Sequence, residues 1–313
     1  MDSATTNLRQ FYSLALQKAK ALKETMTSAT HGPFLAAAEL AGNLFEMSSR
    51  HGFAAPEGTR MATPGSATDL KYVIADKEAH FEQVHRLMVD VFSHAEPITR
   101  AVGATPADTV KFYTDICEGG FSGPYSILAM DGDKIAGMAL NYVVKLEQPR
   151  KSSDPMTPLK LKPDYALDIS NGPYDNHPAN QLVVFIEEVE HDYKRFLPRC
   201  NKAFKIDILF VLPEYAGHGI GTHLVEKALQ LAVENSCQYA LTVATAKASA
   251  HIFAKSGFTC AREVPFASFR EHGSPVYQNL HDGNTSGKLM VKKLSASTSS
   301  MGSIEGGSLN GAV

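Results

Sequence analysis

A glycine-punctuated turn between an apolar strand and an amphipathic helix constrains this chain more than any other stretch. Ile206 to Leu212 reads as a strand broken by Pro213. Tyr215-Ala-Gly-His-Gly-Ile-Gly-Thr222 follows, and from Gly221 the residues Leu224, Val225, Ala228, Leu229, Leu231 and Ala232 recur at helical spacing. N–H groups at a helix start lack intrahelical partners and the helix dipole adds positive potential, so this loop suits a phosphorylated ligand. A glycine-rich turn with no ligand fits the same three glycines. Spacing excludes two nucleotide motifs. A Walker A loop ends in Gly-Lys-Ser/Thr, whereas Gly221 precedes Thr222-His223, and the dinucleotide fingerprint Gly-x-Gly-x-x-Gly does not match glycines alternating at 217, 219 and 221.

The periodicities around this unit predict one α/β domain. Leu70 to Ala75 reads as a strand, Phe81 to Phe92 and Pro106 to Cys117 as helices, and Tyr125 to Met130 with Ile135 to Val144 as a hairpin around Asp131-Gly132-Asp133. A polar, Pro-rich excursion over 146–179 precedes a helix from Gln181 to Leu197, stopped by Pro198. After the glycine loop come a strand (Tyr239 to Ala244), a helix (Ala248 to Ser256, stopped by Gly257), a strand (Phe258 to Val264) and Lys288 to Lys292, expected to close the sheet. Residues 69–294 form the expected domain. Residues 1–68 read as a helical extension and linker, with Leu8, Phe11, Tyr12, Ala15, Leu16, Ala19 and Leu22 at helical spacing, and Ser- and Gly-rich residues 295–313 as a disordered tail.

Of the 313 residues, 44% are hydrophobic and 20% charged, enough for a sizeable core. A net charge of −3 provides no field for nonspecific binding to nucleic acid or an anionic membrane. Cys117, Cys200, Cys237 and Cys260 include no Cys-x-x-Cys pair, which argues against a zinc site or disulfide framework and for reduced thiols. No apolar run approaches the roughly 20 residues of a membrane span, and Met1 to Ser13 lacks the secretory pattern. The expectation is a soluble, cytoplasmic protein. A mitochondrial targeting role for the first helix is the competing reading, against which Asp2 and the lack of Ser/Arg enrichment argue.

The run from Ile206 to Gly221, with Ser249-Ala-His-Ile-Phe-Ala-Lys-Ser-Gly-Phe258, resembles the acetyl-CoA-binding core of the GNAT N-acetyltransferases. The resemblance implies the GNAT fold: a mixed central β-sheet flanked by helices, here with an extra helical N-terminal segment and a disordered C-terminal tail. It also implies that Ala216, Gly217, His218, Gly219, Ile220, Gly221 and Thr222 cradle the CoA pyrophosphate and that Leu209, Phe210 and Val211 pair with the pantetheine amides. Two departures from the family pattern stand out. Ala216 and His218 stand where Arg or Gln, and often a second Arg, are usual; Phe253 stands where many members carry a Tyr that protonates the leaving thiolate, and Phe cannot.

Within the family the resemblance narrows to the insect-type arylalkylamine N-acetyltransferases over roughly Leu70 to Leu294. Val91-Phe-Ser-His-Ala-Glu-Pro-Ile98 looks like their Phe-Phe-x-x-Asp-Glu-Pro-Leu motif, which makes Glu96 the implied catalytic base. Their two catalytic serines lie four apart before the Gly-Phe pair, and Thr245 and Ser249 take those places. The chemistry agrees. A primary alkylamine is mostly protonated at pH 7, with a pKa close to the roughly 10.4 of a lysine, and only the neutral amine attacks a thioester. A base is required. Glu96 also reads as a helix-end carboxylate bonded to nearby backbone, and Thr245 and Ser249 as local caps. His94, two residues before Glu96, is placed to share proton traffic, yet reads more readily as a surface histidine, one of twelve in the chain. His218, His223 and His251 lack metal-ligand spacing, and no metal site is expected. Phe92, Tyr142, Phe185 and Phe269 are candidates for an aromatic amine pocket or, at these periodicities, for core. The expected activity is direct acetyl transfer from acetyl-CoA to a small primary amine, foremost dopamine, octopamine, tyramine or serotonin. A polyamine or protein-amine acetyltransferase and a non-catalytic acyl-CoA-binding module are the alternatives.

Overall fold

A computed structural model describes residues 70–146 and 159–295. The expected helices and linker within residues 1–68 and the tail over 296–313 lie outside the described residues.

Strand β1 (Lys71–Ile74) leads into helix α1 (Lys77–Leu87), capped by the Asp76 carboxylate, which accepts from the Ala79 N–H at 2.9 Å. The single α-helix expected through Phe92 does not persist. Met88–Phe92 is π-helical and Ser93–Ala95 adds one short turn; Ser93 Oγ donates to Val89 O at 2.5 Å, drawing on a carbonyl of the widened turn. Helices α2 (Pro97–Ala101) and α3 (Pro106–Gly120) each carry Pro in the first turn, and Thr105 and Asp108 make a capping box at α3. The hairpin of β2 (Ile127–Asp131) and β3 (Lys134–Lys145) forms as expected, with Gly132 at φ 59°.

Helix α4 (Ala166–Ser170) lies within the excursion, and α5 (His177–Val189) starts earlier and ends sooner than the periodicity suggests. Asp192 adopts a left-handed conformation and a 3-10 turn covers Tyr193–Phe196, so the expected helix to Leu197 is two pieces. Then follow β4 (Lys202–Val211), α6 (Ile220–Glu234), β5 (Tyr239–Ala244), α7 (Lys247–Lys255), β6 (Thr259–Pro265), a small hairpin of β7 (Arg270–Glu271) and β8 (Ser274–Pro275), and β9 (Ser286–Lys293).

Seven strands form one mixed sheet in the order β1-β2-β3-β4-β5-β9-β6, in which only the β4–β5 pair is parallel. β9 does not close the sheet; it lies between β5 and β6, antiparallel to both. The buried run Leu289, Met290 and Val291 suits an interior strand, while β6, largely exposed, suits an edge. Helix α6 packs on one face, where Gly137 leaves room for Ile220 and Leu224; α3 packs on the other, where Gly120 approaches Leu140. Phe185, Phe266, Phe269 and Tyr277 form an aromatic core beneath α5, with centroid separations of 4.9 to 5.6 Å.

Candidate active site

The sheet opens at its one parallel pair. β4 and β5 are in register only at Ala203↔Tyr239, Phe204↔Ala240 and Lys205↔Leu241, although β4 runs on to Val211 and β5 to Ala244. β5 keeps its other neighbour, β9, along its whole length. The β4 edge that includes Leu209, Phe210 and Val211 therefore has no ladder partner on the β5 side, and its backbone groups are available to an extended ligand.

At the far end of β4 the chain enters the glycine loop. Tyr215 OH donates to the Asp131 carboxylate at 2.7 Å and Lys134 pairs with Glu214 at 2.8 Å, so the loop is fastened to the β2–β3 turn. Gly217 and Gly219 both sit at φ 81°, a conformation that a side chain would strain. Residues 216–219 are exposed. The N–H groups of residues 217–222 meet no acceptor among the described residues, and the first bond of α6 runs from His223 N–H to Gly219 O. Six free donors at the start of a 15-residue helix fit a diphosphate. The donors on offer are backbone ones: Ala216 carries no charge, and His218 Nδ1 lies 3.3 Å from Tyr215 O. Gly221 serves packing, since a Cβ there would stand 2.9 Å from Ile252 of α7.

Glu96 stands where the π-helical segment turns into α2. The carboxylate is buried at 8% exposure, and its two oxygens have different duties. Oε2 caps α2, accepting from Thr99 N–H at 2.7 Å and Thr99 Oγ1–H at 2.8 Å. Oε1 accepts from Thr245 Oγ1–H at 2.8 Å, across 149 positions of sequence. The Thr99 hydroxyl is 2.6 Å from Tyr113 OH; because its one proton goes to Glu96, Tyr113 is the donor in that bond. Burial raises the proton affinity of Glu96 above the ordinary carboxylate range, against the pull of the Thr99 and Thr245 hydrogen bonds. Tyr113 and Tyr277 are driven far up by burial first and by the Glu96 charge next, so both remain phenols.

Thr245 follows directly on β5, and Asn284 Nδ2 holds its carbonyl at 2.6 Å. Ser249 is not brought to Glu96: in the first turn of α7 its hydroxyl donates to Ala246 O at 3.0 Å. His94 is exposed, its ring nitrogen 3.1 Å from Ser93 Oγ. Of the aromatic candidates, Phe92 reaches the site, its ring 5.2 Å from Phe210 on the open edge and 5.8 Å from Tyr113. Phe185 and Phe269 belong to the core, and Tyr142 lies 5.4 Å from the Lys205 ammonium. Phe253 is buried against Phe258 at 5.2 Å. Thr99 and Tyr113 are site residues that the sequence reading missed. Pro97 was the available signal, since Pro at a first helical position makes Glu96 the cap and puts Thr99 within its reach. All four cysteines are free, and among the described residues no group of three or more His, Cys, Asp or Glu side chains is placed to hold a metal.

An open strand edge, a row of free amides and a buried carboxylate lie at one sheet opening. The chain belongs to the acetyltransferase (GNAT) family, which matches residues 88–258, and is an N-acetyltransferase that uses acetyl-CoA. No curated protein matches its sequence. Among solved structures it is similar to arylalkylamine N-acetyltransferase 2 from Aedes aegypti, at 19% identity and a TM-score of 0.56 over 72% of this chain and 100% of that one. It is also similar to the Drosophila melanogaster polyamine N-acetyltransferase that forms N-acetylagmatine, at 15% identity and a TM-score of 0.55, again over 72% and 100%. Mosquito arylalkylamine N-acetyltransferase like 5b gives 17% identity and a TM-score of 0.52 over the same shares. At these identities the likeness is one of fold.

Proposed function

We propose that the protein acetylates a small primary arylalkylamine, with Glu96 as general base. One observation carries this reading: a buried carboxylate with raised proton affinity, held by Thr245 at the end of β5, beside the opening between β4 and β5. Acetyl-CoA, when bound, supplies the activated acetyl thioester. Residues 217–222 bind its diphosphate through backbone N–H groups, and the open β4 edge aligns its amides. Glu96 takes a proton from the ammonium of the substrate, directly or through a water, and frees the lone pair for attack. Thr99 and Thr245 fix the carboxylate, and the Tyr113 hydroxyl fixes Thr99. Phe92, against Tyr113 and Phe210, supplies an aromatic wall for the amine. Ser249 is kept as an orienting residue for the acyl-transfer step, reachable if its hydroxyl leaves Ala246 O. The amine nitrogen attacks the thioester carbonyl, the C–N bond forms and the C–S bond breaks. The nitrogen's second proton leaves to solvent, and the CoA thiolate takes one proton from solvent, as Phe253 has none to give.

We further take residues 69–294 as the catalytic unit and the cytoplasm as its location; among the described residues no helix is long and apolar enough to cross a membrane. The test is an acetylation assay with dopamine, octopamine, tyramine, serotonin, agmatine, spermidine and a lysine peptide. Highest kcat/KM for an arylalkylamine is expected. Preference for agmatine or spermidine replaces the substrate class, and CoA binding without turnover of any amine overturns the catalytic reading.

A further inference from the structure

Where β4 leaves β5, the sheet holds a buried ion cluster that the chemistry at Glu96 does not use. Lys205 is the last β4 residue in the parallel ladder, opposite Leu241. Its side chain is 4% exposed, and its ammonium lies 2.5 Å from Glu190 Oε1 and 3.0 Å from Asp207 Oδ1. Glu190 is buried at the C-terminal cap of α5, and Tyr142, directly opposite Lys205 on β3, flanks the ammonium with its ring. Asp207 is the residue that the β3 ladder skips: Asn141 pairs with Ile206 and Leu140 with Ile208, which makes a one-residue bulge. Lys205 thus grips the bulge from just before it and ties both to the end of α5.

Burying an ammonium with two carboxylates is a poor route to stability, since well-packed apolar side chains serve as well or better. The position of the cluster points to geometry instead. A bulge bends its strand and increases the local twist, and this one lies at the step where β4 parts from β5. We propose that Lys205 is a positioning residue for acetyl-CoA: by holding Asp207 and Glu190 it fixes the bulge, and so the direction in which residues 208–211 leave β5 to form the open edge. The proposal rests on the family's co-substrate and is independent of which amine is acetylated.

The full-length protein tests it in two variants. Lys205→Met removes the ammonium and keeps the stem. Asp207→Asn, at a side chain 16% exposed, releases the bulge with less unpaired charge left buried, and decides the matter if Lys205→Met does not fold. In folded variants the Kd for CoA, by titration calorimetry, is expected to rise about tenfold or more, the scale set by a site displaced about 1 Å. The KM for acetyl-CoA should rise in parallel while the amine KM at saturating acetyl-CoA holds. Amides of residues 208–211 should exchange faster in the CoA-free variants. A cluster that serves stability alone would lower Tm and leave the CoA Kd of the folded protein unchanged, and that result overturns the proposal. Failure of the amine reading looks different: wild-type protein that binds CoA and acetylates nothing.

Discussion

Glu96 holds a proton-accepting oxygen in a place that disfavours charge. Burial raises its proton affinity, so wild-type kcat/KM should climb as pH rises through that elevated value, because only the ionised carboxylate accepts a proton. Glu96→Gln keeps the shape and loses the acceptor; kcat should fall by about 10²- to 10⁴-fold at neutral pH with CoA affinity nearly unchanged. The deficit should shrink as pH rises, since more amine arrives neutral, and a folded Glu96→Gln enzyme with wild-type turnover would remove Glu96 from the chemistry. Thr245 and Ser249 separate on the same profile. Thr245 donates to Oε1 and lowers the proton affinity of Glu96, so Thr245→Ala should move the acidic limb to higher pH. Its cost should be about 1.5–3 kcal/mol, the worth of a hydrogen bond to a charged group. Ser249→Ala, whose hydroxyl is spent on Ala246 O, should leave the limb in place; equal shifts in the two profiles would mean that Ser249 also reaches the carboxylate.

At the level of elements, the glycine loop makes the sharpest prediction. Gly219 caps α6 at φ 81°, so Gly219→Val strains the turn and crowds the amides beside it. The KM for acetyl-CoA should rise at least tenfold, by the same displacement argument, with the amine KM little changed; unaltered acetyl-CoA kinetics in the folded variant would contradict the cradle. This loop was legible in the sequence because strand, turn and helix each carry their own period, as were the β2–β3 hairpin and β5. Other features turn on contacts that no local pattern encodes. The π-helical segment over Met88–Phe92 looks like any apolar helix face, and α5 stops where Glu190 meets a lysine from another strand. β7 and β8 are two residues each, too short for alternation to show. The site was half legible. Glu96 and Thr245 came from a family resemblance rather than from spacing, while Thr99 and Tyr113 declare themselves only through a hydrogen-bond chain between helices.

For the molecule as a whole, a ligand that binds the folded sheet opening and not the unfolded chain should stabilise the entire domain. CoA at about 100 times its Kd should add about 2.7 kcal/mol to unfolding and raise Tm, while adenosine, without the diphosphate, should add far less. A scan in which CoA leaves Tm unchanged would count against a preformed site. The place of β9 has a consequence for how the protein is made. The strand that separates β5 from β6 is the last in sequence of the nine strands among the described residues. Until residues 286–293 emerge, β5 and β6 each lack the strand that pairs between them, and Thr245 lacks the neighbouring ladder that holds the end of β5 in place. The domain is therefore completed only once Ser286–Lys293 has been made, and a chain stopped before Ser286 would be inactive and open to edge-to-edge aggregation.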